Sequence, residues 1–169
     1  TYQQSYPQSV HKLLYYVDTV GVFQFKTPGI MNFLRKLKPT SFIDLVNVVA
    51  LFRPGPMENI PEYINAKEKP SEIRYIVPEL KPIVESTYGI MIYQEQIMQV
   101  AQKLAGFSLA KADLLRKAMS KKNANELTKL EQAFIQGCVK NNYPETIAKE
   151  IYNLIFKFAN YGFNKSHSV

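Results

Sequence analysis

The sequence predicts a mainly α-helical domain with short irregular or β segments, and three observations carry that expectation. Apolar residues recur at i, i+3 and i+4 in one segment after another, as at Val10, Leu13, Leu14 and Val17. Proline, glycine and small polar residues fall between those segments at positions that start or stop helices. Only Val22 to Phe25 reads as a short extended piece that could pair as a strand. With 169 residues, 46% hydrophobic and 21% charged, the chain can bury a core without a metal or disulfide staple. One domain over residues 1–169 is expected, with room for sub-lobes at 1–87 and 88–169.

Taken in order, Pro7 to Val17 has the spacing of an amphipathic helix, and Asp18 to Gly21 is a turn. Thr27-Pro28 reads as a cap followed by a first-turn proline, opening a helix whose apolar stripe is Ile30, Phe33, Leu34 and Leu37. Pro39 ends it. Ser41 with Asp44 three residues on is a capping-box pattern, and Leu45, Val48, Val49 and Phe52 form the expected buried run of the next helix. Arg53-Pro54-Gly55-Pro56 then makes a stiff loop, in which Arg53 is either a surface cation or a cap on the last carbonyls of that helix. Glu58 to Lys69 is polar and reads as a short helix plus exposed loop. Pro78 to Thr87 forms a short helix if Pro82 lies in its first turn.

Gly89 to Tyr93 is apolar and leads into Gln94-Glu95-Gln96 and a helix carrying Ile97, Val100, Ala101 and Leu104, closed by Gly106. Asn125 to Lys140 places Leu127, Leu130, Phe134 and Cys138 on one stripe, so Cys138 reads as a small buried hydrophobe. Pro144 opens a last long helix with Ile147, Ile151, Leu154, Ile155 and Phe158 on its core face. Asn160 to Ser168 breaks the pattern with two aromatics around a glycine, followed by amide, ammonium, hydroxyl and imidazole groups. Such a mixture can stack on a base or sugar while donating hydrogen bonds, or can be an exposed polar helix end.

The densest concentration of charge is Ser108 to Lys122. Ser108 is a good N-cap, so the helix is expected to begin at Leu109. At 3.6 residues per turn, Ala112, Leu115 and Met119 share one stripe, while Asp113, Arg116, Lys117, Ser120 and Lys121 share the opposite arc. A guanidinium fork beside ammonium groups on a rigid helix suits phosphate oxygens, the arginine binding through two N–H groups and the lysine as a point charge. The alternative is a solvated face with Asp113 and Lys117 paired at i, i+4.

A net charge of +7 and an isoelectric point near 9.4 favour an acidic partner, whether nucleic acid, nucleotide or anionic membrane. Cys138 alone cannot form an internal disulfide, and no apolar run reaches the length of a membrane span, so a reducing cytoplasm is the expected setting. The opening residues lack the charge and apolar pattern of a signal peptide. The polar stretch at residues 164–169 reads as the edge of a piece cut from a larger protein. The chain has no phosphate-binding loop, dinucleotide fingerprint, HExxH pattern or cysteine pair. Its aspartates, Asp18, Asp44 and Asp113, are too far apart in sequence to suggest a two-metal centre.

Five motifs then assemble into a resemblance. GVFQF at 21–25, ALFRPGPM at 50–57, YGIMIYQEQIM at 88–98, ADLLRKAMSKK at 112–122 and YGFNKSHSV at 161–169 resemble, in this order, the fingers domain of the bacterial replicative DNA polymerase III alpha subunit, a C-family polymerase. The likeness is greater to the shorter form without an inserted exonuclease. It implies a part of a DNA-directed DNA polymerase, a nucleotidyltransferase of DNA replication, that positions incoming deoxynucleoside triphosphate and primer–template DNA alongside other replicase subunits. It implies that Arg116 and Lys117 contact the triphosphate and that Ser166 and His167 lie near the sugar, His167 as a gate against a ribose 2′-hydroxyl. Lys121 and Lys122 add positive potential, with Arg53 and Lys165 on the same surface. Magnesium is expected in the full enzyme on aspartates of a palm domain, so no catalytic residue and no metal are expected within these residues, and the chain alone is expected to be inactive. The family commonly has two arginines where this chain has Arg116-Lys117, an acid at Lys26 and a glycine at Ser120. Two other classes share the same residues: a helical module reading duplex DNA through its basic helix, and a helical protein-interaction domain whose binding would be indifferent to salt and to Arg116.

Overall fold

The computed structural model describes Phe25 and residues 27–121, 123–159 and 162–165. The expected helix at 7–17, the turn at 18–21 and all but Phe25 of the expected strand at 22–25 lie outside those residues, as do Lys26, Lys122, Tyr161, Ser166 and His167. Among the described residues the chain is mainly helical, with eight α-helices and short 3-10 turns. They are α1 (Pro28–Leu37), α2 (Phe42–Leu51), α3 (Ile60–Glu68), α4 (Lys81–Val84), α5 (Gln94–Ala105), α6 (Leu109–Ser120), α7 (Ala124–Lys140) and α8 (Glu145–Ala159).

Local chemistry sets most of these boundaries. Pro28 occupies the first turn of α1, and Lys38 ends it in the left-handed conformation with φ 50°. Ser41 caps α2 by a capping box: its hydroxyl accepts from the Asp44 N–H at 3.2 Å while the Asp44 carboxylate accepts from the Ser41 N–H at 3.1 Å. The Ser108 hydroxyl accepts from the Lys111 N–H at 3.2 Å and starts α6 where expected. Asn123 caps α7 through Glu126, so this helix begins slightly ahead of the expected Asn125. Gly106 closes α5 at φ 66°, a value that a side chain would strain.

Two buried clusters follow. One gathers Val77, Leu80 and Val84 with the inner faces of α5 to α8, including Leu104, Leu115, Met119, Phe134, Cys138, Ile151 and Ile155. The other gathers Phe25, the inner stripe of α1, α2, Tyr63 of α3, and Ile90, Ile92 and Tyr93. The extended stretch just ahead of α5 joins them. Successive side chains of extended backbone point to opposite sides, so Ile90 and Ile92 enter the second cluster while Met91 enters the first. Cys138 is fully buried as expected, and burial pushes its thiol up to about 11.

The burial of α2 differs from expectation. Val48 is buried, but Leu45, Val49 and Phe52 are only half-buried, and Val46, Asn47, Ala50 and Leu51 are the residues sealed inside. Neighbours cover this helix on more than one side, so an apolar stripe alone does not identify its inner face. Tyr63, in a stretch that reads as polar and exposed, is fully buried as well.

Both facts have one cause. The Asn47 amide donates to the Tyr63 hydroxyl at 2.7 Å and to the Ser86 carbonyl at 2.9 Å, and its carbonyl oxygen accepts from the Tyr93 hydroxyl at 2.5 Å. Tyr63 packs edge-on against Tyr88, whose hydroxyl donates to Asp44 at 3.1 Å. Lys67 completes the network with a 2.6 Å ion pair to Asp44. Burial by itself would raise the Asp44 carboxyl, but donation from Lys67, the Thr40 N–H and Tyr88 outweighs it and holds the group below its ordinary value.

Candidate functional site

The site begins at the N-terminus of α5. Gln96 turns its side chain back, and its oxygen accepts from the N–H groups of Ile92 at 2.8 Å and Tyr93 at 3.0 Å. Its amide donates to Thr87 at 2.8 Å and to the Ile83 carbonyl at 3.1 Å. This fixes the backbone entering the helix. Against that backbone lies the segment 162–165, in parallel register: the Phe163 N–H donates to the Ile92 carbonyl at 2.9 Å, and the Gln94 N–H donates to the Phe163 carbonyl at 3.0 Å. Glu95 adds a third tie, its carboxylate accepting from the Lys165 N–H at 3.2 Å.

Three of the cations expected at a phosphate surface, Arg53, Lys165 and Arg116, are arranged around this junction, and Lys117 shares Asp113 with Arg116. Arg53 lies with its guanidinium carbon 4.2 Å from the centroid of the Phe163 ring. Its Nε–H also donates to the Ala50 carbonyl at 3.0 Å, so it does cap α2. Burial pulls the guanidinium below its ordinary value. Lys165 places its ammonium 5.5 Å from the centroid of the Tyr93 ring. Tyr93 is in turn fixed by its hydrogen bond to Asn47, so the buried network reaches the underside of this surface.

Arg116 approaches from α6. Its Nη1 donates to the Gln94 side-chain oxygen at 3.2 Å, and the Gln94 amide donates to the Gly162 carbonyl at 3.2 Å. Gln94 therefore links the basic helix to the 162–165 segment through one side chain. Asp113 holds Arg116 from within the helix, its Oδ1 accepting from Nε at 2.9 Å and pairing with Nη2 at 2.7 Å, while Oδ2 pairs with Lys117 at 2.7 Å. Donation from Lys117 and Arg116 draws the Asp113 carboxyl below its ordinary value. The i, i+4 pairing weighed as the solvated-face alternative is thus present, on the same arc that presents the two cations.

The buried stripe of α6 is Ala112, Leu115 and Met119, as the spacing requires, with Ala118 beside it. Lys117, Ser120 and Lys121 are exposed, Lys121 at the C-terminal end of the helix. Lys122, Ser166 and His167 lie outside the described residues, and the geometry says nothing of them. Sequence reasoning missed Gln94 and Glu95 as organisers of the junction. The signal available was an amide and an acid at a predicted helix start, within a motif already singled out.

The family model described as the bacterial DNA polymerase III alpha subunit finger domain matches residues 5–142. A curated protein of Halalkalibacterium halodurans named DNA polymerase III subunit alpha is 57% identical over 152 residues, covering 90% of this chain and 14% of that protein. One of the same name from Staphylococcus aureus is 51% identical over 162 residues, covering 96% of this chain and 15% of its own length. The chain spans about one seventh of the length of these curated relatives.

Proposed function

The chain belongs to the finger-domain family of the bacterial DNA polymerase III alpha subunits, and from that premise we propose that it positions incoming deoxynucleoside triphosphate and primer–template DNA for template-directed synthesis in DNA replication. The observation that supports this reading is the gathering of Arg53, Arg116 and Lys165, drawn from distant parts of the sequence, around one junction, with Lys117 tied to Arg116 through Asp113. A triphosphate needs several cations held at once in fixed positions, because electrostatic positioning is most of what protein side chains contribute to phosphoryl-type transfer. Arg116 supplies the fork, Lys117 a point charge, and Lys121 and Lys122 further positive potential. In this reading Ser166 and His167 lie at the sugar, with His167 excluding a ribose 2′-hydroxyl.

The acids of the described surface are engaged with this chain's own donors, Asp113 with Arg116 and Lys117, and Glu95 with the Lys165 amide. Among the described residues no three His, Cys, Asp or Glu side chains come together as a metal site. In this reading magnesium, which supplies charge neutralisation and an activated attacking oxygen in nucleotidyl transfer, belongs to palm aspartates elsewhere in the enzyme. The chain alone extends no primer. Its setting is cytoplasmic, among other replicase subunits; among the described residues no helix is long and apolar enough to cross a membrane.

The test is an NMR titration of the labelled chain with a deoxynucleoside triphosphate and with primed DNA, in wild type and Arg116→Ala. Shifts concentrated at Gln94, Arg116, Lys117 and residues 162–167, and lost in the variant, are expected. Shifts spread without regard to this junction, or unchanged by Arg116→Ala, would sink the assignment.

A further inference from the structure

We propose that Asp113 is a displaceable internal counterion, which occupies Arg116 and Lys117 until a polyphosphate takes its place; the inference rests on the phosphate-surface reading above. One carboxylate serves both cations, Oδ1 lying 2.7 Å from Arg116 Nη2 and Oδ2 lying 2.7 Å from Lys117 Nζ. Both oxygens are committed, so the two residues on which the surface depends are already neutralised in large part by their own helix. The pairing is also weakly held. Arg116, Lys117 and Asp113 are 28%, 55% and 31% exposed, and the three lie within one helical turn. Exposed pairs at this spacing bias an equilibrium by only about twofold each. A polyphosphate brings several charged oxygens at once and can engage the guanidinium through two N–H groups, a stronger contact than one shared carboxylate provides.

Gln94 makes the exchange orderly. It accepts from Arg116 Nη1 at 3.2 Å on the side away from Asp113's own contacts with Nε and Nη2, and its amide is anchored on the Gly162 carbonyl. When Asp113 releases the guanidinium, Gln94 still holds it toward the 162–165 segment. Arg116 therefore changes partner without leaving the junction. The negative charge of Asp113 stays close by and opposes any anion that arrives, so the wild-type surface binds less tightly than its cations alone would allow.

Removing that charge while keeping the shape separates this role from a merely orienting one. Inorganic tripolyphosphate is titrated calorimetrically into the chain as wild type, Asp113→Asn, Asp113→Ala and Arg116→Ala, with circular dichroism confirming equal helicity. Asp113→Asn and Asp113→Ala are expected to bind about fivefold more tightly than wild type. They are also expected to show a steeper fall of affinity with salt, because solution anions rather than a tethered carboxylate must then be displaced. Arg116→Ala is expected to lose most of the binding. Equal or weaker binding by both Asp113 variants, with Arg116→Ala still impaired, would overturn the counterion role and leave the phosphate surface standing. Absence of binding in wild type and Asp113 variants alike would overturn both.

Discussion

Gly137 lies in the last turn of α7, where exchange for alanine stabilises a helix by at most about 1 kcal/mol. Here the sign reverses. A Cβ at Gly137 would sit 2.2 Å from the carbonyl oxygen of Ala105 and 2.9 Å from its carbonyl carbon, where ordinary contact begins at 3.4 Å. The obstacle is backbone at the C-terminal end of α5, not the tip of a flexible side chain, so relief requires the two helices to separate by roughly 1 Å. Overpacking of this kind costs about 1–3 kcal/mol, and with backbone on the receiving side the upper end applies. Subtracting the propensity gain leaves a net loss of about 2 kcal/mol for Gly137→Ala. For a chain of this size that is about 4–8 °C in melting temperature, read by circular dichroism. An unchanged or raised melting temperature would refute the claim that α5 and α7 meet backbone to backbone at this point. Because Ala105 directly precedes the Gly106 turn into α6, the same substitution should also disturb the approach of Arg116 to Gln94.

Other expectations concern the buried polar network and the pH response. Asn47→Ala strips a partner from the hydroxyls of Tyr63 and Tyr93 and from the Ser86 carbonyl. It should cost about 3 kcal/mol in urea unfolding, and a loss below about 1 kcal/mol would contradict the network's role. Asp44 is held below its ordinary 3.8 in the folded chain, so its contribution is fully present at higher pH. That contribution should fade as pH falls through and below 3.8, and urea midpoints compared with Asp44→Asn should converge there. Midpoints that stay apart at low pH, or that converge already near neutrality, would show the sign or window to be wrong.

How much was legible in the sequence follows from distance along the chain. Caps at Ser41 and Ser108, the first-turn Pro28 and the stop at Gly106 involve residues a few positions apart, so spacing alone finds them. The same holds for the buried stripe of α6 and for the Asp113–Lys117 pair. Contacts that cross the fold left no such trace. Gln94 meets Gly162 and Tyr93 meets Asn47 only after α5 is seated between the two clusters, and a polar residue such as Asn47 carries no sign that its partners are buried with it. The α2 helix shows the same limit, since burial on several sides erases the one-sided stripe by which an inner face is recognised. The cations were singled out because their motifs were informative as motifs. The side chains that bring them together were not.

The most direct test of the central claim is single-nucleotide primer extension by the alpha subunit that contains this chain, with Arg116 as wild type and as alanine. Loss of a charge-assisted contact to the triphosphate should raise the KM for deoxynucleotide roughly ten- to hundredfold, with affinity for primed DNA changed far less. An unchanged KM, or a loss confined to DNA affinity, would contradict the assignment of this junction to the incoming nucleotide.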